Sequence, residues 1–518
     1  MGVSAIDVLL IGDEIESGLT AVSAALALKA LGCEPSVTLL APPASEENGL
    51  LGGLSTRGGL SYMDITLNEG SAIYKSPLFD EFLQRAGVIR VALHAQQASD
   101  TLRTMLSEAG VTVQVGTVNS VQQRSSGWSI TTEQGQWFET RVLVDATPDA
   151  DVARLAGCRM ITGLGGLLQQ VSGNPNAPDS LGITPLFTLD GLDRKALIVF
   201  EEALRKDPVT PELIAKGLPW LNPAEQTELL IRPVFSPDDE DYVDILSPVI
   251  GLHWHRWRGG TPESYPLASP KIDGFNTAWL NKNQPNEAFG FNGIVFTGSS
   301  VEDCIALSQG KYGLPSEMAQ SVDSFCQFLR EVGGLTVGSV STGAMPYVRQ
   351  TVQIHTQTMV TGAQLLQGGV EASEVIGTFS YWVDWRGANL KQYAPHLVPF
   401  PKPVFNVGLG SAFPTGDFQN LAVVGRSAGY GPVAQGACRI IQHNAMVGEA
   451  VGIAAALAIQ SQVPMQRVST HCIQAMQLHR YQTHYGQPLQ PCGQALWRAA
   501  ECEIHPLLAA ENHLLARL

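Results

Sequence analysis

The stretch IDVLLIGDEIESGLTAVSAALALKALG, residues 6–32, decides the fold of this chain. Its first part, Ile6 to Ile11, is apolar and rich in branched side chains, which predicts a buried parallel strand. Residues 20–31 are rich in Ala and Leu and predict a helix that stops at Gly32. A second strand is predicted at residues 37–40. A strand, a helix and a second strand in this order form the βαβ unit of a doubly wound sheet.

The turn after the first predicted strand departs from the dinucleotide fingerprint G-x-G-x-x-G. Gly12 matches the first glycine, whereas Glu14 and Ser17 stand at the second and third positions. The second glycine normally lets the backbone approach a pyrophosphate, and a carboxylate beside a pyrophosphate is unfavourable at neutral pH. Ala41 stands where an acid often holds the ribose. This unit alone predicts the fold and leaves open whether it binds a nucleotide or no ligand.

The charge and the composition exclude several classes of partner. The chain has 518 residues, of which 32 are basic and 48 acidic, so its formal net charge is −16. This excess of acid argues against nucleic acid and anionic membranes as partners. Hydrophobic residues make up 44% of the chain and charged residues 15%, which predicts a large interior divided between two or more domains.

Cysteine usage and apolar segments indicate the compartment. The eight cysteines are scattered without a C-x-x-C pair, which favours a reduced setting. The first residues lack the cationic and apolar regions of an export signal, so we expect a cytoplasmic protein. The apolar segment 445–459 carries Glu449 and is shorter than the roughly 20 residues that span a bilayer. It therefore predicts a buried helix and no membrane span.

Three further segments offer backbone groups to a ligand. LLGGLSTRGGLSYMD (50–64) provides N–H groups and hydroxyls without bulky side chains at its glycines. RVLVDATPDADVARLAG (141–157) is a strand with a turn into a helix, and NLAVVGRSAGYGPVAQGACRIIQHNAMVGEAVGIAAALA (420–458) is a strand, a loop and a small-residue helix. Each segment also has an ordinary interpretation: a surface loop without a ligand, a capped strand-to-helix turn, or an unrelated junction of loop and helix.

In this order the segments resemble those of FAD-dependent oxidoreductases with the glutathione-reductase-like fold. The resemblance implies an α/β fold in which residues 1–160 and 400–465 form a Rossmann-like FAD-binding domain. It further implies an inserted α+β cap or substrate domain at 161–399 and a helical carboxyl-terminal tail at 466–518. FAD is then the expected cofactor, with these binding residues: Gly12, Gly52, Gly53, Ser55, Thr56, Gly59, Val118, Ala146, Gly425, Arg426, Gln435 and Gly436.

The departures from the family's pattern all fall on the nucleotide side of the implied site. They are Glu14, Ser17, Ala41 and Pro148, whereas the segment 420–458 keeps the pattern. In the family, a helix start such as that at Gln435 and Gly436 offers free N–H groups and a positive dipole to the pyrimidine edge of the flavin. The resemblance therefore predicts an intact flavin side and a disturbed phosphate side.

Two segments of the predicted cap carry candidate functional residues. GAMPYVRQTVQI (343–354) resembles the P-Y-x-R element of the same family, and Arg349 is the predicted catalytic residue, facing a substrate carboxylate or the flavin edge. A structural arginine is the alternative. LHWHRWR (252–258) places two histidines close together, either on one face of a strand or in the packing of the cap. No third ligand follows at a suitable spacing, so no metal site is predicted.

The predicted function is that of an FAD-dependent oxidoreductase that acts on a small organic substrate beneath the cap. The alternative is a flavoprotein-derived binding or assembly protein that has lost FAD, and Glu14 at the phosphate turn motivates it. No P-loop, Ser-His-Asp or H-E-x-x-H element supports a phosphotransferase or a hydrolase. The sequence leaves open whether the chain forms a homo-oligomer.

Overall fold

The computed structural model describes residues 6–65, 76–88, 91–231, 248–272, 276–280, 288–310, 313–486 and 492–518. The strands in this part of the chain are β1 (Ile6–Ile11), β2 (Val37–Ala41), β3 (Thr112–Val115), β4 (Val118–Arg124), β5 (Gly127–Thr132), β6 (Trp137–Asp145), β7 (Met160–Thr162), β8 (Ile183–Thr184), β9 (Phe187–Asp190), β10 (Asn276–Trp279), β11 (Ala288–Asn292), β12 (Val340–Thr342), β13 (Tyr347–Val348), β14 (Val352–Ile354), β15 (Val375–Ser380), β16 (Val404–Gly408) and β17 (Leu421–Val423).

The α-helices in the same residues alternate with these strands in the first part of the chain and dominate its end. They are α1 (Ile15–Ala30), α2 (Ala44–Glu47), α3 (Pro77–Arg85), α4 (Ala95–Ala109), α5 (Asp151–Leu155), α6 (Leu167–Ser172), α7 (Arg194–Lys206), α8 (Thr210–Gly217), α9 (Pro223–Ile231), α10 (Pro248–Trp257), α11 (Val301–Ser308), α12 (Ser316–Glu331), α13 (Gly362–Leu366), α14 (Leu390–Tyr393), α15 (Pro432–Cys438), α16 (Ile441–Ser461), α17 (Thr470–Tyr485), α18 (Ala499–Ile504) and α19 (Pro506–Leu515). A short 3₁₀ helix at Gly53–Ser55 follows α2.

The main sheet joins both ends of the chain. Strands β3, β2, β1 and β6 lie side by side in parallel, and β17 pairs with the end of β6 in the same direction. The hairpin of β4 and β5 extends the sheet in antiparallel fashion against the start of β6. In the register, Ile11 and Val423 both pair with Asp145, so the carboxyl ends of β1, β6 and β17 meet at one edge. The sheet confirms the predicted α/β, Rossmann-like architecture.

Helices α1 and α16 pack against each other because small residues line both. A Cβ on Gly452 would lie 2.7 Å from the backbone nitrogen of Ala24, and a Cβ on Gly448 would lie 2.1 Å from the Thr20 hydroxyl oxygen. Only glycine permits so close an approach at these two positions. The helix α16 is long and apolar enough to cross a membrane, yet 83% of its apolar window is buried inside the protein. It is the central helix of the core.

A second core lies in the segment inserted between β7 and β14. The sheet here is antiparallel, with the order β10, β11, β9 and β12. Phe187 and Phe291 stack with ring centroids 5.0 Å apart, and Phe325 approaches both edge-on. By contrast, buried residues from Val352 to Phe379 pack into the first core, beside the main sheet. Apolar residues between 352 and 379 therefore pack against the main sheet, although they fall inside the predicted insertion. The domain boundary at residue 399 stays a prediction.

Local structure differs from the sequence-based expectation at three points. Helix α1 begins at Ile15 and not at residue 20, so Glu16 and Ser17 belong to its first turn. The strand before the turn at Ala146 begins at Trp137, whereas the sequence predicted a strand from residue 141. At α1, tertiary contacts bury the polar residues Glu16 and Ser17, which interrupt the apolar pattern. At β6, antiparallel pairing with β5 extends the strand back to Trp137 through exposed charged residues.

The two histidines of LHWHRWR lie on a helix, α10, and not on a strand. The Nε2 atom of His253 lies 2.8 Å from the hydroxyl oxygen of Thr210. The Nε2 atom of His255 lies 2.8 Å from the hydroxyl oxygen of Ser264. Each ring is therefore held by a neighbouring hydroxyl within the second core, which agrees with the packing interpretation.

The meeting of β1 and β6 makes a testable prediction about Gly12. This glycine has φ +138°, and a Cβ on it would lie 2.2 Å from the carbonyl oxygen of Ala146. Gly12→Ala should therefore lower the free energy of unfolding by about 3 kcal/mol, measured by chemical denaturation. Gly32→Ala is the matched control, because Gly32 has φ +75° with no atom within 4 Å of its Cβ position. It should cost about 1 kcal/mol, and equal losses in both variants would contradict the close approach.

Candidate functional site

A cavity lies at the sheet edge where β1, β6 and β17 end. It holds about 40 Å³ of space for solvent, enough for roughly three water molecules. Its walls come from the turns after the three strands, the glycine loop 52–59, the segment 345–349 and the junction of α15 and α16. The lining residues are Glu14, Glu16, Leu54, Leu60, Tyr62, Met63, Asp64, Ala146, Thr147, Pro148, Tyr347, Arg349, Gly425, Arg426, Arg439, Ile440 and Ile441.

Backbone contacts fix the floor of this cavity. Gly12 approaches the Ala146 carbonyl oxygen so closely that no side chain fits between the two turns. The Ser17 hydroxyl, at the third position of the fingerprint, donates a hydrogen bond of 2.9 Å to the same oxygen. Ser17 thus replaces the third glycine with a hydrogen bond that ties α1 to the turn after β6. The departure at this position preserves the packing that the fingerprint glycine serves.

The Glu14 side chain packs directly against the glycine loop at Gly53 and Leu54. Its Oε2 atom accepts a hydrogen bond of 3.0 Å from the backbone N–H of Leu54. A Cβ on Gly53 would lie 2.4 Å from the Glu14 carboxyl carbon, so Gly53 must be glycine to admit this carboxyl group. The Glu14 Oε1 atom is buried without a hydrogen-bond partner. The carboxyl group therefore takes the N–H that the loop would offer to a phosphate.

A buried ion pair holds the glycine loop to the first turn. Arg57 donates to both carboxylate oxygens of Asp13, one of them over 3.2 Å, and both residues are buried. Burial raises the pKa of Asp13, and Arg57 opposes this rise. The pair is bidentate, the geometry in which an arginine and a carboxylate attract most strongly. It fixes the glycine loop to the residue that precedes Glu14 at the start of α1.

Two further charged groups face Glu14 across the cavity. Burial, followed by the neighbouring carboxylates of Glu16 and Asp13, raises the pKa of Glu14 to about 8. Burial likewise raises the pKa of Glu16 to about 7, against the attraction of Arg426. The Arg426 Nε donates to the Pro148 carbonyl oxygen over 3.1 Å. At neutral pH Glu14 is therefore mostly protonated and Glu16 is near its midpoint, because burial disfavours the charged forms.

A second charged cluster lines the cavity from the inserted segment and the α15–α16 junction. The two Nη atoms of Arg439 donate to the Tyr347 hydroxyl over 2.6 Å and to the Asp384 carboxylate over 2.5 Å. Burial raises the pKa of Asp64, which lies near Arg439 and bonds to the Tyr381 hydroxyl. The Arg439 Nε atom is buried without a partner. Of these residues, Tyr347 belongs to the P-Y-x-R element, whereas Asp64, Tyr381, Asp384 and Arg439 were not predicted from the sequence.

Arg349, the predicted catalytic residue, lines the same cavity and is almost fully buried. It donates to the Gly182 carbonyl and the Thr184 hydroxyl, each over 2.7 Å, and to the Asn292 side chain over 3.1 Å. Its guanidinium lies 4.3 Å from the centroid of the Tyr347 ring. Burial lowers its pKa to about 9. It stands beside the cavity with neutral hydrogen-bond partners, and its catalytic role stays a prediction.

The start of α15 has a partner that the sequence did not predict. The Glu511 carboxylate, on α19 of the tail, accepts hydrogen bonds of 2.8 Å from the backbone N–H groups of Val433 and Gly362. Gln435 is buried and donates to the Arg349 carbonyl, and Gly436 packs against Trp385. The positive end of α15 is thus neutralised from within the chain, away from the cavity lining.

The other predicted cofactor residues lie at different distances from the cavity. Ala146, Gly425 and Arg426 line it, and Gly12 lies directly behind Ala146. Five of the others belong to the glycine loop. Gly53 contacts the Glu14 carboxyl group, Gly52 precedes it, Ser55 and Thr56 are buried, and Gly59 packs against Gly343. Val118 lies apart from the loop, where it pairs with Thr132 in the hairpin of β4 and β5. Their roles toward a cofactor stay predictions.

The family of this chain follows from its sequence match. The family of FAD dependent oxidoreductases matches residues 7–478. The chain belongs to this family. It is an oxidoreductase and its cofactor is FAD, which confirms both predictions. No curated protein matches the sequence.

Several solved structures align with this FAD-dependent oxidoreductase at low identity. The p-nitrophenol 4-monooxygenase PnpA from Pseudomonas putida DLL-E4 shares 8% identity over 100% of this chain and 98% of that chain, with a TM-score of 0.37. The halogenase PltM shares 10% identity over 93% of this chain and 76% of that chain, with a TM-score of 0.37. The match to HlmI has 17% identity and a TM-score of 0.18, and covers 28% of this chain and 35% of that chain. The chain thus spans about a third of HlmI.

The arrangement around Glu14 does not fit the pyrophosphate of FAD. The loop N–H at Leu54 is taken by the Glu14 carboxyl group, and the cavity has about 40 Å³ of free space. The glycines and the strand-end turns supply a backbone that a flavin can approach, but the phosphate side is filled by the protein's own side chains. A pyrophosphate at this loop, where the sequence predicts it, would require Glu14 to leave the Leu54 N–H.

The raised pKa of Glu14 makes stability depend on pH. The folded chain holds the Glu14 proton up to about pH 8, whereas an unperturbed glutamate loses it near 4.5. The free energy of unfolding should therefore fall as pH rises through this range, because ionisation of a buried acid opposes folding. Glu14→Gln removes this loss and should be more stable than the unmodified chain by about 3 kcal/mol near the upper end of the range. Denaturation at a series of pH values measures the difference.

Glu47→Gln serves as the control, since Glu47 is exposed on α2 and its replacement removes the same charge. A constant difference between Glu14→Gln and the unmodified chain across the pH range would show that the Glu14 carboxyl group is not buried as described.

Proposed function

We propose that this oxidoreductase acts on a small organic substrate in the cavity between the strand-end turns and the segment 345–349. The single observation that carries the proposal is the composition of the cavity wall: turns of the main sheet form one side, and Tyr347 and Arg349 of the inserted segment form the other. In α/β sheets ligands bind at the carboxyl ends of parallel strands. We extend the proposal to the predicted domains, with residues 161–399 as the cap over an FAD-binding domain.

FAD, the backbone turns and the side chains of the cavity have different roles in the proposed reaction. FAD supplies the redox chemistry of the family. The glycine at position 12 and the turns at Ala146 and Gly425 allow a ligand to approach the backbone. Leu54, Leu60, Met63, Ile440 and Ile441 give the cavity an apolar wall, and a bound ligand would displace the few waters that fit there. Exclusion of water strengthens the field of Arg439 and Arg349 on any charged ligand group.

A second candidate function is favoured by one observation. The Glu14 carboxyl group is hydrogen bonded to the glycine loop and fills the phosphate side, as it would in a flavoprotein-derived binding or assembly protein that has lost FAD. In that case the chain keeps the scaffold and uses the cavity for a ligand other than FAD. The two functions differ in whether the folded chain takes up FAD.

The purified chain tests the proposal by its visible absorbance. A chain that retains flavin, or takes it up when FAD is added, supports the oxidoreductase, and release of that flavin on denaturation shows that it is bound without a covalent link. Failure to retain or take up FAD supports the binding protein. Reduction of bound flavin by added organic substrates then identifies the substrate class.

Glu14→Gly tests the role of the phosphate turn. Removal of the side chain frees the Leu54 N–H and the space above Gly53, so FAD affinity should rise about tenfold in a fluorescence titration. Glu14→Gln is the matched variant, since it keeps the volume and removes the charge that Glu14 carries above about pH 8, where the titration is run. A rise in Glu14→Gly alone assigns the obstruction to volume, and a rise in both assigns it to charge. Unchanged affinity in both variants would contradict an obstruction by Glu14.

We also propose a reducing compartment such as the cytoplasm. All eight cysteines of the chain are free thiols in the structure, and free buried thiols are typical of reducing compartments.

A further inference from the structure

A cleft opens beside the main sheet, at the other end of α16 from the candidate functional site. Strand β5 pairs with β6 up to Thr140, and β17 pairs with β6 from Leu143 onward, so this side of β6 has a gap at Arg141 and Val142. The tip of the β4–β5 hairpin, the loop before β17 and the end of α16 surround the gap. We call it the hairpin cleft, and its lining residues are Gln123, Arg124, Ser125, Ser126, Gly127, Arg141, Val142, Gln419, Asn420, Ala458, Ile459, Gln462, Val463 and Pro464.

The hairpin cleft is larger than the cavity of the candidate site and separate from it. It has about 270 Å³ of space for solvent, against about 40 Å³ in the cavity, and the two share no lining residue. Ile441 at the start of α16 lines the cavity and Ile459 near its end lines the cleft, so the two sites lie about 27 Å apart along the helix. Small-molecule sites begin at roughly 300 Å³. The cleft therefore has room for a compact organic molecule.

One wall of the hairpin cleft carries positive charge without acid. None of the described residues that line it is an aspartate or a glutamate, although the chain has 48 acidic and 32 basic residues. Arg141 is paired with Asp7, which lies outside the lining. Arg124 is exposed and donates a hydrogen bond of 2.6 Å to the neutral side chain of Gln122. Most N–H donors of this guanidinium, and its charge, are therefore accessible to a ligand.

The same wall adds neutral donors, and the facing wall is apolar. Ser125 and Ser126 form the exposed tip of the hairpin beside Arg124 and contribute two hydroxyl groups. Across the cleft, Ile459 at the end of α16 is almost buried, whereas the nearby Val463 is 37% exposed. An exposed valine beside a buried isoleucine offers apolar surface that the body of a ligand can remove from water.

These two walls select an anion with one charge and an apolar body. Arg124 balances one negative charge, because the charge of Arg141 is already balanced by Asp7. A dianion such as a phosphate monoester would keep one charge without a partner in the cleft. A carboxylate also matches the planar donors of a guanidinium, to which it can bind through both of its oxygens.

We propose that the hairpin cleft is a second binding site of this protein and takes a small monocarboxylate with an apolar body. Arg124 and the hydroxyl groups of Ser125 and Ser126 bind the carboxylate, and Ile459 and Val463 contact the carbon body. The site does not rest on the function proposed for the cavity, since the two have no residue in common.

Binding of benzoate and of benzamide to the full chain tests the charge requirement. The two probes have nearly the same shape and differ in charge, so benzoate should bind about fivefold more tightly in a ligand-observed NMR titration at low salt. Arg124→Gln should lower benzoate affinity about fivefold, to that of benzamide. Arg103→Gln is the matched control, because Arg103 is an exposed arginine on α4 outside the cleft. It makes the same change in net charge and should retain benzoate affinity.

Val463→Ser tests the apolar wall and locates the ligand from the other side of the cleft. It should lower benzoate affinity about threefold, because the aromatic ring loses apolar contact. Circular dichroism should be the same for all variants, since each replaces an exposed side chain. Equal binding of benzoate and benzamide, no binding of benzoate, full benzoate affinity in Arg124→Gln or Val463→Ser, or an equal loss in Arg103→Gln would each overturn the site.

Discussion

The contact between Gly12 and the Ala146 carbonyl oxygen is the constraint on which the site depends. A Cβ at Gly12 would lie 2.2 Å from this oxygen, so the turns after β1 and β6 touch only because the first of them has no side chain. The Ser17 hydroxyl bonds to the same oxygen and adds the first turn of α1 to the contact. Strand β17 follows β6 by more than two hundred residues in the sequence and pairs with it in the sheet. This pairing brings Gly425 and Arg426 to the same edge.

Buried carboxyl groups accept hydrogen bonds from backbone N–H groups that the sequence motifs predicted to bind a ligand. Glu14 bonds to the glycine loop at Leu54, and Glu511 bonds to the starts of α13 and α15. In each case a buried carboxyl group meets backbone donors, which is the environment that also attracts phosphate. Burial raises the pKa of Glu511 to about 7, as it does for Glu16. These carboxyl groups therefore titrate close to neutral pH, and they occupy backbone donors that could otherwise bind an anion.

The sequence predicted the parts of the fold that local pattern determines. The βαβ unit, the segment at 50–64, the strand before Gly425 and the buried helix α16 all follow from apolar runs, glycines and small residues. The partners of polar groups were not predictable, because they lie far away in the chain: Glu511 meets Val433, and Arg439 meets Tyr347 and Asp384. Ser17 departs from the glycine fingerprint, and only the structure identifies its acceptor, the carbonyl oxygen of Ala146. Residues with hydrogen bonds across hundreds of positions leave no periodic signal in the sequence.

The two charged clusters of the cavity act through separate contacts. The Glu14 cluster bonds to the glycine loop and, through Arg426, to the turn at Pro148, whereas the Arg439 cluster bonds to Tyr347, Asp384 and, through Arg349, to the inserted segment. The described hydrogen bonds of the two clusters have no residue in common. Both clusters nevertheless line the same cavity, and residues that share a cavity couple energetically even without a common hydrogen bond. A change at position 14 therefore acts on the Arg439 cluster through the volume and the water of the cavity that both side chains line, and not through a hydrogen bond.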